Sequence, residues 1–300
     1  MHLTVIILAF NEELHLKRCI RSLDGIANEI VVVDCYSRDR TIAIAEECGA
    51  RVMQHKWVNH ANQFNWALTM LPPDTEWVLR LDADEYVTHE LVAEIKLRLP
   101  DLGDKIDGVY CSRCVAFLGR QIRHGGMSPH RVLRLFRYSR GECENRWMDE
   151  HIKVAGNTVD FRSEIIDENL NSLTWWTDKH NKYASREAVD LLNLEYSFMP
   201  HDSVARLVGG SQAGLTRWVK ERVYARLPGG VRALAYFMFR YVLRLGFLDG
   251  QAGTTFHFLQ GFWYRYLVDA KVGEVKRYIH LNRVEAPLAI MRVLKIDVSQ

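Results

Sequence analysis

The sequence predicts an α/β protein: a mostly parallel sheet with helices on both faces, followed by a helical C-terminal region. Three observations carry this expectation. The runs Leu3 to Phe10 and Glu29 to Asp34 are short and almost wholly apolar, as strands covered on both faces must be. Apolar residues at helical spacing separate such runs. From about residue 200 onward the chain becomes basic and aromatic, which divides it into residues 1–200 and 201–300.

Taken in order, the first strand stops at Asn11-Glu12-Glu13. Leu14, Cys19, Ile20 and Leu23 then recur at helical spacing, with the short polar Asn11 as the expected cap. A second helix carries Ile42, Ala45 and Cys48 and closes at Gly49, and Arg51 to Gln54 reads as a third strand. Three alternations of this kind argue for right-handed βαβ units. A helix holding Asn62 and Asn65 on one face leads into the stretch on which the rest depends. There Trp77, Val78, Leu79 and Leu81 form an apolar strand, interrupted only by Arg80, that runs into Asp82, Asp84 and Glu85.

Ligands of open α/β sheets gather at the carboxyl ends of strands. Two carboxylates two positions apart at such an end can curve around a divalent cation, or one can hold the metal while the other accepts a ribose hydroxyl. Mg²⁺ and Mn²⁺ favour these hard oxygen ligands and complete their shells with substrate phosphates. The first strand is not followed by G-x-G-x-x-G, and no G-x-x-x-x-G-K-[ST] occurs, so a phosphate site here relies on metal rather than on a glycine cradle. Downstream, Asp107 to Arg113 reads as another strand and Phe117 to Gly126 as a glycine-bearing loop. Arg131 to Arg137 interleaves arginines with apolar residues and is read as a half-buried strand with a basic outer face.

The composition, 48% hydrophobic and 25% charged, excludes a disordered chain. Net charge is only +2, but residues 1–200 carry 24 Lys+Arg against 30 Asp+Glu, and residues 201–300 carry 15 against 7. The body is acidic and the tail basic. The chain opens on a strand rather than on a charged and then apolar leader, which with six scattered cysteines leads to the expectation of a cytoplasmic location. Cys111 and Cys114 make one C-x-x-C pair, too few ligands for a structural zinc, and buried thiols are expected.

The opening strand with Asn11-Glu12, the turn Val33-Asp34-Cys35-Tyr36-Ser37-Arg38-Asp39-Arg40-Thr41, the helix with Asn65, and Leu81-Asp82-Ala83-Asp84-Glu85 together resemble family 2 glycosyltransferases. The likeness is to bacterial enzymes that build lipopolysaccharide core and other surface polysaccharides. It implies a GT-A fold, a nucleotide-diphosphate-sugar donor such as UDP-hexose, a Mg²⁺ or Mn²⁺ ion, and inversion at the anomeric carbon. By the same resemblance Phe10, Asn11, Glu12, Asp34, Asn65 and Asp82 surround the donor, Asp34 facing its base or ribose, and Asp84 with Asp82 holds the cation. The family often has Gly before the turn serine, where this chain has Tyr36.

Displacement at an anomeric carbon needs a further carboxylate to strip the proton from the incoming hydroxyl. The cluster Trp147-Met148-Asp149-Glu150-His151 supplies two, and the family's His-Glu pattern aligns Glu150 with the base, ahead of Asp149. Trp147 is a candidate to stack on a sugar, and Trp175 to Tyr196 reads as a long helix.

From Arg206 to Arg244 the tail has eight Lys+Arg and one acid, Glu221, interleaved with aromatics. Arg232, Arg240, Arg244, Asp249 and Arg265 interrupt every apolar run before it reaches spanning length. Basic amphipathic helices of this kind fit an anionic membrane surface, with Arg240 and Arg244 toward lipid. A packed helical subdomain or a dimer interface is the alternative. A nucleic-acid partner is not expected from an acidic body without a binding motif. Two other functions compete with sugar transfer: a metal-dependent nucleotidyltransferase, and a non-catalytic sugar-nucleotide-binding assembly protein.

Overall fold

The computed structural model describes residues 2–144, 151–199 and 229–298. The chain forms two compact units, Met1–Leu170 and Asn171–Gln300. The division falls upstream of the composition change at 200, so the long helix Leu173–Tyr196 belongs with the second unit.

In the first unit the strands are β1 (Leu3–Ala9), β2 (Glu29–Asp34), β3 (Arg51–Gln54), β4 (Trp77–Asp82), β5 (Glu85–Val87), β6 (Ile106–Phe117), β7 (Arg120–Gln121), β8 (His130–Arg137), β9 (Gly141–Cys143), β10 (Ile152–Val154) and β11 (Asn157–Glu168). Among the described residues nine of them form one sheet in the order β3-β2-β1-β4-β8-β6-β11-β5, with β7 beside β6, while β9 and β10 pair separately. The strands β3, β2, β1 and β4 run parallel, as their apolar runs predict. Then β8 enters antiparallel between β4 and β6, β11 lies parallel to β6, and β5 returns antiparallel to β11.

All seven residues of β1 are buried, and alternation sends them into two cores. Leu3, Val5 and Ile7 pack with α1 (Leu16–Arg21), α2 (Thr41–Glu47) and α4 (His89–Arg98) through Cys19, Ile20, Ile44, Leu91 and Ile95. Ile6 and Leu8 pack on the other face with α3 (His60–Thr69) through Ala61, Phe64 and Ala67. Each fully buried side chain of this size contributes about 1.5–3 kcal/mol. Asn59 and Thr88 cap α3 and α4, accepting from the backbone N–H of Asn62 at 2.7 Å and Leu91 at 3.2 Å.

Asn11 does not cap α1, which begins at Leu16 without a side-chain cap. It adopts a left-handed φ of 56°, and its Oδ1 accepts the Arg38 N–H at 2.8 Å. The cap expected of it is replaced by a clamp between two loops. Cys111 and Cys114 are three apart on β6 and so face opposite cores, each buried there.

The second unit is helical: α5 (Leu173–Tyr196), α6 (Gly229–Met238), a π-helical turn at Phe239–Leu243, a 3₁₀ turn at Gly246–Asp249, α7 (Gly250–Phe256), a second π-helical stretch at His257–Trp263, α8 (Tyr264–Asn282) and α9 (Ala286–Leu294). Ala184 and Ala188 of α5 are small enough to admit Tyr264 and Val268, and Val189 and Leu192 pack with Val275, Ala289 and Ile290. Glu187 accepts from the Tyr264 hydroxyl and from Arg265, both at 2.7 Å. Among the described residues no helix is long and apolar enough to cross a membrane.

Candidate active site

Parallel register brings the first strand ends to one level: Ala9 lies beside Asp34, Leu8 beside Asp82, and Asp34 beside Gln54. The loops that leave these ends are laced together. Asn11 N–H donates to Ser37 Oγ at 2.8 Å, Glu12 N–H to Thr41 Oγ1 at 2.7 Å, and Glu13 N–H to Asp39 at 3.2 Å. Phe10 stands exposed beside them. Tyr36 holds a left-handed φ of 62°. That is the conformation glycine adopts without strain, which accounts for the glycine common at this turn and means that the tyrosine is held there by its surroundings.

Asp34 is fully buried. Its carboxylate accepts the Ser37 N–H at 3.0 and 3.3 Å and the Gln54 Nε2 at 3.1 Å, so it ties the end of β2 to β3 and to the turn. Asn65 is likewise occupied: its Nδ2 donates to the Cys143 carbonyl and its Oδ1 accepts the Cys143 N–H, both at 2.8 Å. An amide that pattern reasoning aimed at substrate is thus spent on the backbone of β9.

The acids after β4 separate into two environments. Asp82 lies between two arginines, with Arg134 Nη2 2.9 Å from Oδ2 and Arg80 Nη2 3.5 Å from Oδ1. Burial opposes its charge, but Arg134 and Arg80 hold it well below the usual carboxylate range. Arg134 also donates to Glu85 Oε1 at 2.6 Å, and Glu85 Oε2 takes the Asp82 N–H at 3.0 Å. Arg113 bridges Glu85 to Asp167 on β11. Burial, helped by Asp82 and opposed by Arg134, pushes Glu85 up to about 7. The expected basic outer face of β8 therefore fails at its centre, where Arg134 is buried against carboxylates that arrive from β4 and β5.

Asp84 sits outside this network. It is half-buried, its Oδ2 accepts Asn169 Nδ2 at 3.3 Å, and its carbonyl accepts the Glu168 N–H at 3.0 Å. Among the described residues no three His, Cys, Asp or Glu side chains converge into a metal cage. A carboxylate beside an amide at a strand end still fits Mg²⁺ or Mn²⁺, which need only one or two carboxylates when phosphates complete the shell.

Asp149, Glu150 and Trp147 lie outside the described residues. The stem that carries them is defined: β9 and β10 pair Cys143 with Ile152, and Glu144 N–H donates to the His151 carbonyl at 2.9 Å. Cys143 Sγ is 3.5 Å from Arg80 Nη1, so this stem stands one side chain from Asp82. Sequence reasoning missed Arg80, Arg134, Asn169 and Gln54 as parts of the site. The one available signal was an arginine inside each of two otherwise buried strands.

The sequence matches the family model for glycosyl transferase family 2 over residues 4–161. It is 38% identical over 94 residues to an uncharacterised glycosyltransferase of Rickettsia bellii, a match covering 31% of each chain. The first curated relatives are thus spanned over about a third of their length. Over 200 residues it is 30% identical to the lipopolysaccharide core biosynthesis glycosyltransferase LpsC of Rhizobium meliloti, covering 62% of this chain and 70% of that one. Glucosyl-3-phosphoglycerate synthase of Mycobacterium tuberculosis, solved with Mn²⁺, UDP and glucosyl-3-phosphoglycerate, aligns with 37% of this chain and 44% of its own at 24% identity and a TM-score of 0.32. With more than half its residues under the family model, and with LpsC matched over most of its length, the chain belongs to glycosyl transferase family 2.

Proposed function

We propose that this chain moves a sugar from a nucleotide-diphosphate donor, UDP-hexose, to a hydroxyl of a lipid-linked or lipopolysaccharide acceptor, with inversion at the anomeric carbon. The observation that carries the reading is the level row of parallel strand ends at Ala9, Asp34 and Asp82, with Asp84 just beyond it. That is where an α/β sheet receives a nucleotide. The match to LpsC supports the class of acceptor.

Asp84, with Asp82 beside it, is the pair that would hold Mg²⁺ or Mn²⁺. The cation would neutralise the departing diphosphate. Asp82 is kept ionised by its arginines, and Asn169 steadies Asp84. Glu150 takes the proton of the acceptor hydroxyl as its oxygen bonds to the anomeric carbon on the face opposite the leaving diphosphate. The paired strands at Cys143 and Ile152 support a base delivered from the residues between them in the sequence.

The second unit supports work beside a membrane. Leu234, Met238, Phe239, Val242, Leu243, Leu245, Phe247 and Leu248 are all exposed, Arg244 is exposed among them, and the only acid from 229 to 268, Asp249, is buried. Such a face suits an anionic lipid surface, with its aromatics in the headgroup plane. Arg240 is not part of that face: it is buried with its guanidinium 5.5 Å from the Tyr236 ring and 5.8 Å from the Phe256 ring, so Arg244 is the cation that would meet lipid.

The test is a transfer assay from UDP-hexose to a lipopolysaccharide acceptor, read by product mass and anomeric configuration. The expected product is the inverted anomer. Glu150→Gln should lower turnover by roughly 10²- to 10⁴-fold while donor binding persists. Normal turnover in that variant removes Glu150 from the role, and a collapse with Asp149→Asn instead moves it one residue upstream.

A further inference from the structure

Gln54 ends β3 beside Asp34, and its orientation is chemically forced. The Asp34 carboxylate, fully buried and already accepting the Ser37 N–H, can only accept hydrogen bonds. The Gln54 group 3.1 Å from it must therefore be the NH₂, and the amide oxygen points the other way. Gln54 is exposed, and no described group occupies that oxygen. The neighbouring backbone is pinned as well: His55 N–H donates to the Asp34 carbonyl at 3.1 Å. Gln63, fully buried, donates to Cys35 Sγ and to the His55 carbonyl and accepts from His55 Nδ1. The His55 ring stacks on Trp66 at 4.3 Å between centroids. The strand end thus presents one fixed acceptor at the level where the other strand ends meet.

We infer that Gln54 is the specificity-determining residue for the donor's base, and that Asp34 is a positioning residue which acts through it. The inference rests on the nucleotide-sugar reading above and names its substrate class: a base with a ring N–H on its pairing edge, as in uracil or guanine. Such an N–H donates to Gln54 Oε1. Cytosine and adenine place a ring-nitrogen lone pair at that edge, and lone pair against lone pair is repulsive. Asp34 has no exposed surface of its own, and replacing its carboxylate removes the acceptor that keeps the amide from turning over.

The experiment is calorimetric titration of the full chain with UDP, GDP, CDP and ADP, each with Mn²⁺. UDP or GDP should bind about 10-fold or more tightly than CDP and ADP, the scale of one well-placed hydrogen bond. Gln54→Ala, at an exposed position, should bring all four within about 3-fold of one another, and Asp34→Asn should shrink the ratio while its thermal melt remains cooperative. A preference that survives Gln54→Ala, a preference for CDP or ADP, or equal binding of all four to the unaltered chain overturns the inference and leaves the donor reading standing. Failure of all four to bind overturns both.

Discussion

The two units invert the usual arrangement in opposite ways. The first buries charge, with Arg80, Glu85 and Arg134 all buried in the sheet. The second exposes apolar surface, with Leu243 73% and Phe239 49% exposed in a turn that shows no exposed acid. Either feature is costly unless something repays it. In the first unit the compensation is internal, because every buried cation there faces a carboxylate. In the second, Leu243, Arg244 and Leu245 lie exposed in a row, and the proposal of a lipid surface rests on that exposure.

The largest loss of stability is expected at Arg134. Arg134→Met leaves Glu85 and Asp82 facing each other without their shared cation, and the expected loss is about 3–5 kcal/mol in denaturant unfolding. Adding Glu85→Gln should recover part of it by removing one uncompensated charge. A loss below about 0.5 kcal/mol would mean that the network carries no stability and that the buried charges are tolerated singly.

A much smaller effect on stability is expected in the second unit, and it sharpens the contrast. Leu243→Ser should leave unfolding unchanged within about 0.5 kcal/mol, since the side chain touches little in the free protein. The same variant should recover less protein with floated anionic vesicles, and Arg244→Gln should weaken the salt-dependent part of that binding, roughly 1 kcal/mol for one cation near the surface. Destabilisation by Leu243→Ser with no change in flotation would show the turn to be packed in solution.

Much of the fold could be read because its determinants are local. The apolar runs of β1, β2 and β4, the spacing in α1 and α2, and the long α5 each follow from a window of a few residues. The acids after β4 were legible for the same reason. What escaped depends on partners far along the chain. Asn65 meets Cys143 only because β9 folds back against α3, and Arg134 meets Asp82 only because β8 enters the sheet beside β4. The cap expected of Asn11 went instead to Arg38, across a contact between loops that no helix pattern contains. Gln54 read only as the last residue of a third strand, and its register beside Asp34 gave its amide a direction.

In the proposed reaction the acids after β4 hold a cation which holds the donor's diphosphate, with Asp84 as the carboxylate outside the arginine network. Titration of UDP into the full chain, with Mn²⁺ and again with chelator, measures this directly for the unaltered protein and for Asp84→Asn. Binding should weaken at least 10-fold on chelation, and the variant should no longer respond to the metal. Equal tight binding under all four conditions would contradict this role for the cation.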